Sequence, residues 1–344
     1  MLPSQPIDSS QLLDAALWSY KGEGNANIVV AYIGPDPLIT GCVLRVRKAL
    51  DEDVRLDEVP VPSPFTLQYE MGFQQHVVAP LVGPEYVGRM QLVNVNPTFL
   101  HNLSDSMADA RPKARRTKLL DFSQPYAALI ADLTYVPHLK MASPTKVVAV
   151  EIKQSTGAAL NNFFQPADAS AHDPLSTGMA SLFENLIAIL TRDNLLQRLR
   201  YHQRNLDSLD IEGIFPLYAT LPDDVKNANP SLSEWKETMD LYRQRIEQND
   251  DIAAQLSKCS PKERLQFIHE YLLAATLKDC SIIIAMWLKD PNSTESSDTP
   301  ANEGTVRLDT SSQVLRYRVG ILDIDPKRIT KIPDYYKLDQ NIVE

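Results

Sequence analysis

The sequence predicts an α+β fold in two lobes, a β-rich N-terminal lobe over residues 1–135 and a larger mixed lobe over residues 136–344. Three observations carry the prediction. A chain of 344 residues that is 44% hydrophobic exceeds what one core usually fills, because single cores stop growing near ~250–300 residues. Short β-branched runs gather before residue 153, whereas apolar residues after residue 177 recur at the 3.6-residue spacing of helices.

Taken in order, residues 28–32 (IVVAY) and 42–46 (CVLRV) flank IGPDPLITG, a Gly/Pro turn, and so read as a hairpin. The preceding SYKGEGNAN places Gly22 and Gly24 at the entry to the first strand, where the backbone bends tightly or lets something approach closely. Residues 69–83 (YEMGFQQHVVAPLVG) suggest a helix packed on that sheet. YAALIADLTYV (126–136) and KVVAVEIK (146–153) read as further buried strands of the same β-rich assembly. Small and polar residues from 155 to 173 read as a connector. Helices are expected over residues 177–199, 232–248 and 261–279. Two closing strands, 280–288 (CSIIIAMWL) and 316–324 (RYRVGILDI), flank a hydrophilic loop at 289–304.

A net charge of −10 argues against a nucleic-acid or anionic-membrane binder, since such proteins need an overall basic face. A polyanionic ligand would have to meet a local basic pocket. Cys42, Cys259 and Cys280 lack the paired spacing of a zinc site or a disulfide framework, so no structural zinc and a reducing compartment are expected. With no basic n-region before an apolar core and no apolar run long enough to span a bilayer, the expected location is nuclear or cytoplasmic. A monomer is the expected state.

Four clusters bear on chemistry. Gly22-Glu23-Gly24-Asn25-Ala26-Asn27 before a strand suits backbone N–H groups approaching nucleotide phosphates, although GxG alone is as well read as an ordinary turn. Arg45 on the returning strand stands where a cation would meet those phosphates; it, Arg47 and Lys48 are also the charges that protect a strand edge. Residues 111–118 (RPKARRTK) hold five cations in an acidic chain, a set of forks for a multiply phosphorylated small molecule or else a solvated loop. Asp279 and Asp323 lie at edges of apolar strands. Phosphoryl transfer needs one carboxylate to orient and deprotonate the attacking hydroxyl and another to hold magnesium, while the plainer reading of each is a turn or cap residue. Lys327, Lys331 and Tyr335 follow at steps of four, one face if the segment is helical, with Pro333 weakening a regular helix.

The order of these clusters resembles the inositol-pentakisphosphate 2-kinase family. WSYKGEGNANIVVAY with GCVLRVRK is similar to its glycine loop and phosphate-contacting strand, AVEIK at 149–153 to the start of its EIKPK motif, and Asn161-Asn162-Phe163 to its NNF element. LDIEG at 209–213 stands in a matching helical context, and the longest resemblances are EYLLAATLKDCSIII (270–284) and ILDIDPKRITKIPDYYKLDQNIV (321–343).

The resemblance implies a two-lobed kinase-like fold that uses ATP and Mg2+ to phosphorylate inositol 1,3,4,5,6-pentakisphosphate at its 2-hydroxyl, the last step to phytate. It implies that Gly22, Gly24, Asn25, Asn27, Arg45 and Lys153 hold the nucleotide, that Asp279 is the general base and that Asp323 binds magnesium. Arg115, Asn161, Asn162, Lys327, Lys331 and Tyr335 would hold the inositol phosphate, with Arg116 an alternative to Arg115. The chain departs from the family after Lys153: Gln154 and Ser155 replace the proline and second lysine, and the long stretch before NNF shrinks to the seven residues 154–160. A degenerate member that binds ATP or inositol phosphate with little transfer is therefore the rival expectation, and a non-catalytic scaffold the third.

Overall fold

The computed structural model describes residues 12–49, 63–136, 147–153, 178–248, 260–289, 301–307 and 314–343. The chain divides into two compact units, one of Met1–Met71 with Gly88–Thr145, the other of Gly72–Val87 with Lys146–Glu344. Each has its own antiparallel sheet, as the two-lobed α+β prediction requires.

The first unit is a five-stranded sheet built from β1 (Trp18–Glu23), β2 (Asn27–Tyr32), β3 (Cys42–Arg47), β4 (Met90–Asn94) and β5 (Tyr126–Ala131) in the order β1-β2-β3-β5-β4. The predicted hairpin is β2–β3. Gly41, at φ +79, closes it with a backbone conformation that L side chains rarely adopt, and Tyr135 packs where a Cβ would stand. Register pairs Ile28 with Val46 and Val30 with Leu44, so these fully buried side chains share one face. They pack with Phe99, Leu100 and Leu103 of a helix over Pro97–Ser106, whose Asn96 cap accepts a hydrogen bond from the Phe99 N–H at 2.8 Å. The opposite face carries Arg45 and Arg47 beneath α1 (Ser63–Phe73), which contributes Leu67 and Glu70.

The helix expected at 69–83 exists, running on from α1 through a π-helical stretch, Gln74–Val78, to Val82. Phe73 is buried edge-to-face on Trp235, ring centroids 5.0 Å apart, and the helix from Gly72 onward belongs to the second unit.

The second unit holds β6 (Val148–Lys153), β7 (Ser281–Leu288), β8 (Glu303–Arg307) and β9 (Val314–Leu322) in the order β6-β7-β9-β8. The expectation that KVVAVEIK belongs with the N-terminal strands is therefore corrected: β6 pairs with β7, Val150 opposite Ile284, because its apolar run is matched by SIIIAM far along the chain. Part of the predicted 289–304 loop is also strand, since Glu303 begins β8 and its carboxylate binds Arg316 and Arg318 of β9.

The helices expected at 232–248 and 261–279 form as Leu232–Gln248 and α2 (Pro261–Asp279). The latter starts with a reciprocal capping box between Ser260 and Glu263 and with Pro261 in the first turn, where its missing N–H costs nothing. The single helix expected over 177–199 breaks into Gly178–Arg192 and Leu195–Leu206. Buried Asp193 causes the break, its Oδ1 accepting the Leu195 N–H at 2.8 Å and its carboxylate a bond from Tyr86. Among the described residues no helix is long and apolar enough to cross a membrane.

Candidate active site

The first unit builds a turn with a defined polarity. β1 is bulged between Tyr20 and Gly22, after which Gly22 pairs with Val29 and Val29 with Arg45. Gly22 and Arg45 thus lie in one cross-strand row, and Asn27 and Arg47 pair in a row of the same face. Neither Gly22 nor Gly24 has positive φ, and a Cβ added to either meets nothing within 4 Å. Turn geometry therefore does not demand glycine there; the open space beside both is what glycine preserves. Around the turn, protein donors occupy the carbonyls. Gly24 N–H bonds Asn27 O at 3.0 Å, Lys48 N–H bonds Ala26 O at 2.9 Å, Lys48 Nζ bonds Gly24 O at 2.8 Å and Arg115 Nη1 donates to Glu23 O. Among the described residues no partner takes the N–H of Asn25 or Ala26, both exposed, and the Asn27 side-chain oxygen is buried without a donor. With its carbonyls bonded to protein donors, the turn leaves the exposed N–H groups of Asn25 and Ala26 available to an acceptor.

Arg45 and Arg47 both pair with Glu70, Arg45 at 2.7 Å, a partner that no motif in the sequence flags. The basic segment divides its labour. Arg111 is buried, gripping the Glu23 carboxylate through Nε at 3.0 Å and Nη2 at 2.9 Å, and Arg116 bonds the carbonyls of Asp109 and Arg111. Arg115 stays exposed with one nitrogen on the glycine turn.

In the second unit, strand ends make the cluster. β6 ends at Lys153, β7 begins at Ser281 and β9 ends at Leu322, and register places these three in one row. The residues just beyond are Asp279, at the C-terminus of α2, and Asp323. Lys153 Nζ lies 3.3 Å from Asp323 Oδ2, which also faces the Ser281 hydroxyl at 3.5 Å, and Lys327 pairs with Asp279. The carboxylates are 67% and 61% exposed, open to a ligand.

Two features break local rules, as functional positions often do. A carboxylate at a helix C-terminus opposes the helix dipole, which disfavours it by about 0.3–1 kcal/mol, yet Asp279 is there. Asp323 has φ +58, a left-handed backbone that aspartate tolerates better than most residues. Burial, then the charges of Asp279 and Asp323, push the Cys280 thiol between them up to about 12, so it stays an inert thiol. Burial and then Asp279 push Tyr335 up to about 12, leaving a neutral phenol able to donate.

The expected helical face of Lys327, Lys331 and Tyr335 does not form. Lys327 lies in irregular chain, Lys331 ends a 3-10 turn (Ile329–Lys331), and only Tyr335 is within the terminal α-helix, α3 (Ile332–Val343). Pro326 keeps Asp325 out of helical geometry, and Pro333 falls in the first turn of α3, where it is tolerated. Lys331 pairs at 3.0 Å with Asp334, in the first turn of α3, while Lys327 and Tyr335 both face Asp279. Asn161 and Asn162 lie outside the described residues.

Magnesium fits this cluster by its donor set. Among the described residues no group of three or more His, Cys, Asp or Glu side chains could cage a metal. A single exposed carboxylate, Asp323, that leaves further positions to phosphate and water matches a cation that keeps several waters.

Exposed carboxylates beside lysines are groups that phosphoryl transfer uses. Comparison with known proteins specifies the class. The inositol-pentakisphosphate 2-kinase family profile matches residues 20–157 and 154–341. An inositol-pentakisphosphate 2-kinase of Arabidopsis thaliana is 24% identical across 96% of this chain and 93% of its own, and one of Oryza sativa subsp. indica is 22% identical over the same shares. One of Danio rerio is 32% identical over 151 residues, covering 42% of this chain and 29% of its own. The chain belongs to the inositol-pentakisphosphate 2-kinase family, a family of transferases. The two profile matches overlap at 154–157, inside the shortened connection, and the Arabidopsis alignment runs over 443 positions against 344 residues here, so that relative carries segments this chain lacks.

Proposed function

We propose that the chain transfers the γ-phosphoryl group of ATP to the 2-hydroxyl of inositol 1,3,4,5,6-pentakisphosphate, giving the hexakisphosphate. The observation that carries this reading is the strand-end cluster, where two open carboxylates each lie against a lysine. Asp279 accepts the proton of the attacking hydroxyl, and Lys327 beside it holds a neighbouring phosphate. Gly22, Gly24, Asn25, Asn27 and Arg45 hold the nucleotide, its phosphates meeting the free N–H groups of the turn. Asp323 would be the protein's ligand for Mg2+, which would supply positive charge to offset the negative charge that develops on the phosphoryl oxygens. Lys153 holds Asp323 in place until phosphate competes for its ammonium. Arg115, Lys331 and Tyr335 contact the inositol phosphate, as do Asn161 and Asn162.

Transfer is slow on this reading, because positioning supplies most of the catalysis and the shortened connection removes the family's second lysine. That same shortening favours a second reading, a member that binds its ligands with negligible turnover. Asp279→Asn tests the assignment: transfer is expected to vanish while ATP–Mg2+ affinity, measured by calorimetry, stays near that of the parent. A variant that turns over like the parent removes Asp279 from the role.

A further inference from the structure

Strand register puts Glu23 and Lys48 on the core side of the first sheet, Glu23 paired with Ile28 and Lys48 next but one to Val46. Apolar residues belong there, yet the sequence supplies a carboxylate and an ammonium. Arg111 joins them, and the three side chains are 1%, 2% and 3% exposed. Hydrogen bonds from Arg111 and Lys48 outweigh the effect of burial and hold the Glu23 carboxyl below its ordinary value, so the group is ionised at neutral pH.

The Glu23–Arg111 pair is bidentate and would be complete without Lys48. What Lys48 adds is a hold on the turn: its ammonium, anchored on Glu23, bonds Gly24 O at 2.8 Å, and its own N–H bonds Ala26 O at 2.9 Å. Those two carbonyls flank Asn25, whose N–H is left over.

We propose that Lys48 is a positioning residue for the nucleotide, drawing the Gly24 and Ala26 carbonyls toward the protein so that the turn presents N–H groups to phosphate. The inference rests on the nucleotide reading above. It requires no contact between Lys48 and ATP, since the side chain is buried beneath the turn. It also gives the buried charges a role beyond stability, where replacing an ion pair by apolar groups is often neutral.

The test uses the full chain, ATP with Mg2+ as probe, and calorimetry alongside thermal melting. Lys48→Met leaves the Glu23–Arg111 pair intact, so melting is expected to change little while ATP affinity falls about tenfold, the effect of one misdirected charge-assisted hydrogen bond. Lys48→Arg, which keeps a cationic donor, is expected to recover most of that loss. Leu103→Ala, in the core on this side of the sheet, is the stability control, with a lower melting temperature and parental ATP affinity well below it. The proposal is overturned if Lys48→Met binds ATP like the parent, or if affinity simply follows melting temperature across the three variants. A parent chain that takes up no ATP overturns the nucleotide reading itself, and this inference with it.

Discussion

Asp323 ties backbone conformation to chemistry, and its substitutions separate the two. The residue has φ +58, and its ion pair with Lys153, at 3.3 Å, joins two partly exposed side chains. Such a pair contributes about 1 kcal/mol at most. Asparagine tolerates the left-handed region nearly as well as aspartate, so Asp323→Asn should melt within about half a kcal/mol of the parent. Alanine pays the full steric cost of that conformation, about 1–2 kcal/mol, which in a unit of this size lowers the melting temperature by roughly 2–8 °C. Glycine accepts the conformation but loses more entropy on folding, about 0.5–1 kcal/mol, and should fall between the two. All three variants remove the carboxylate and should lose about a hundredfold or more in kcat/KM, only partly restored by added magnesium. Melting curves and magnesium titrations of turnover on the three proteins check this. An alanine variant that melts with the parent refutes the backbone argument, and an asparagine variant whose magnesium titration overlays the parent's refutes the metal role.

Glu23→Gln leaves two buried cations facing a neutral amide and should destabilise the first unit by about 3–5 kcal/mol at pH 7. The folded-state pKa of Glu23 is depressed, so its contribution is present above the unfolded value near 4.5 and is lost as pH falls through the folded value. The melting-temperature gap between parent and variant should therefore narrow below about pH 4.5, and a gap unchanged down to pH 3 would contradict the assignment. Inositol-pentakisphosphate binding should weaken as salt is added, because Arg115, Lys327 and Lys331 are cations on or near the surface. Replacing residues 154–160 with a family-typical EIKPK-to-NNF segment, which by the resemblance brings back the second lysine and a further substrate cation of the missing stretch, should tighten that binding about a hundredfold or more, the effect of two charge-assisted bonds, and raise turnover; calorimetry showing equal affinity would remove the shortened connection from the account.

Much of the fold was legible because local signals agreed with it. The capping box and apolar spacing of 261–279 and the Gly/Pro turn between 32 and 42 each specify an element without outside help. The failures share a cause, which is pairing over long sequence separation. Nothing local in KVVAVEIK says whether its partner is β5 or the distant β7, and nothing in residues 69–83 says that Phe73 seeks Trp235. The candidate site shows the same division. Asp279, Asp323 and the glycine turn stand in contiguous motifs, whereas Glu70 meets Arg45, and Arg111 meets Glu23, only through the fold. A clue to the buried triad was present only at Lys48, which follows Leu44 and Val46 at the core-facing step of two, whereas the bulge in β1 turns Glu23 to a side that simple alternation from Trp18 and Tyr20 would not give it. The spacing of Lys327, Lys331 and Tyr335 misled because it presumed one helix, and prolines at 326 and 333 delay that helix to residue 332.

The most direct test is a single-turnover reaction with the protein in excess over inositol 1,3,4,5,6-pentakisphosphate, γ-labelled ATP and Mg2+, followed for hours so that slow chemistry registers. The account predicts labelled hexakisphosphate carrying its label at the 2-position, formed by the parent and absent with Asp279→Asn. No label above the Asp279→Asn background, from a folded parent that binds both ligands, would contradict it.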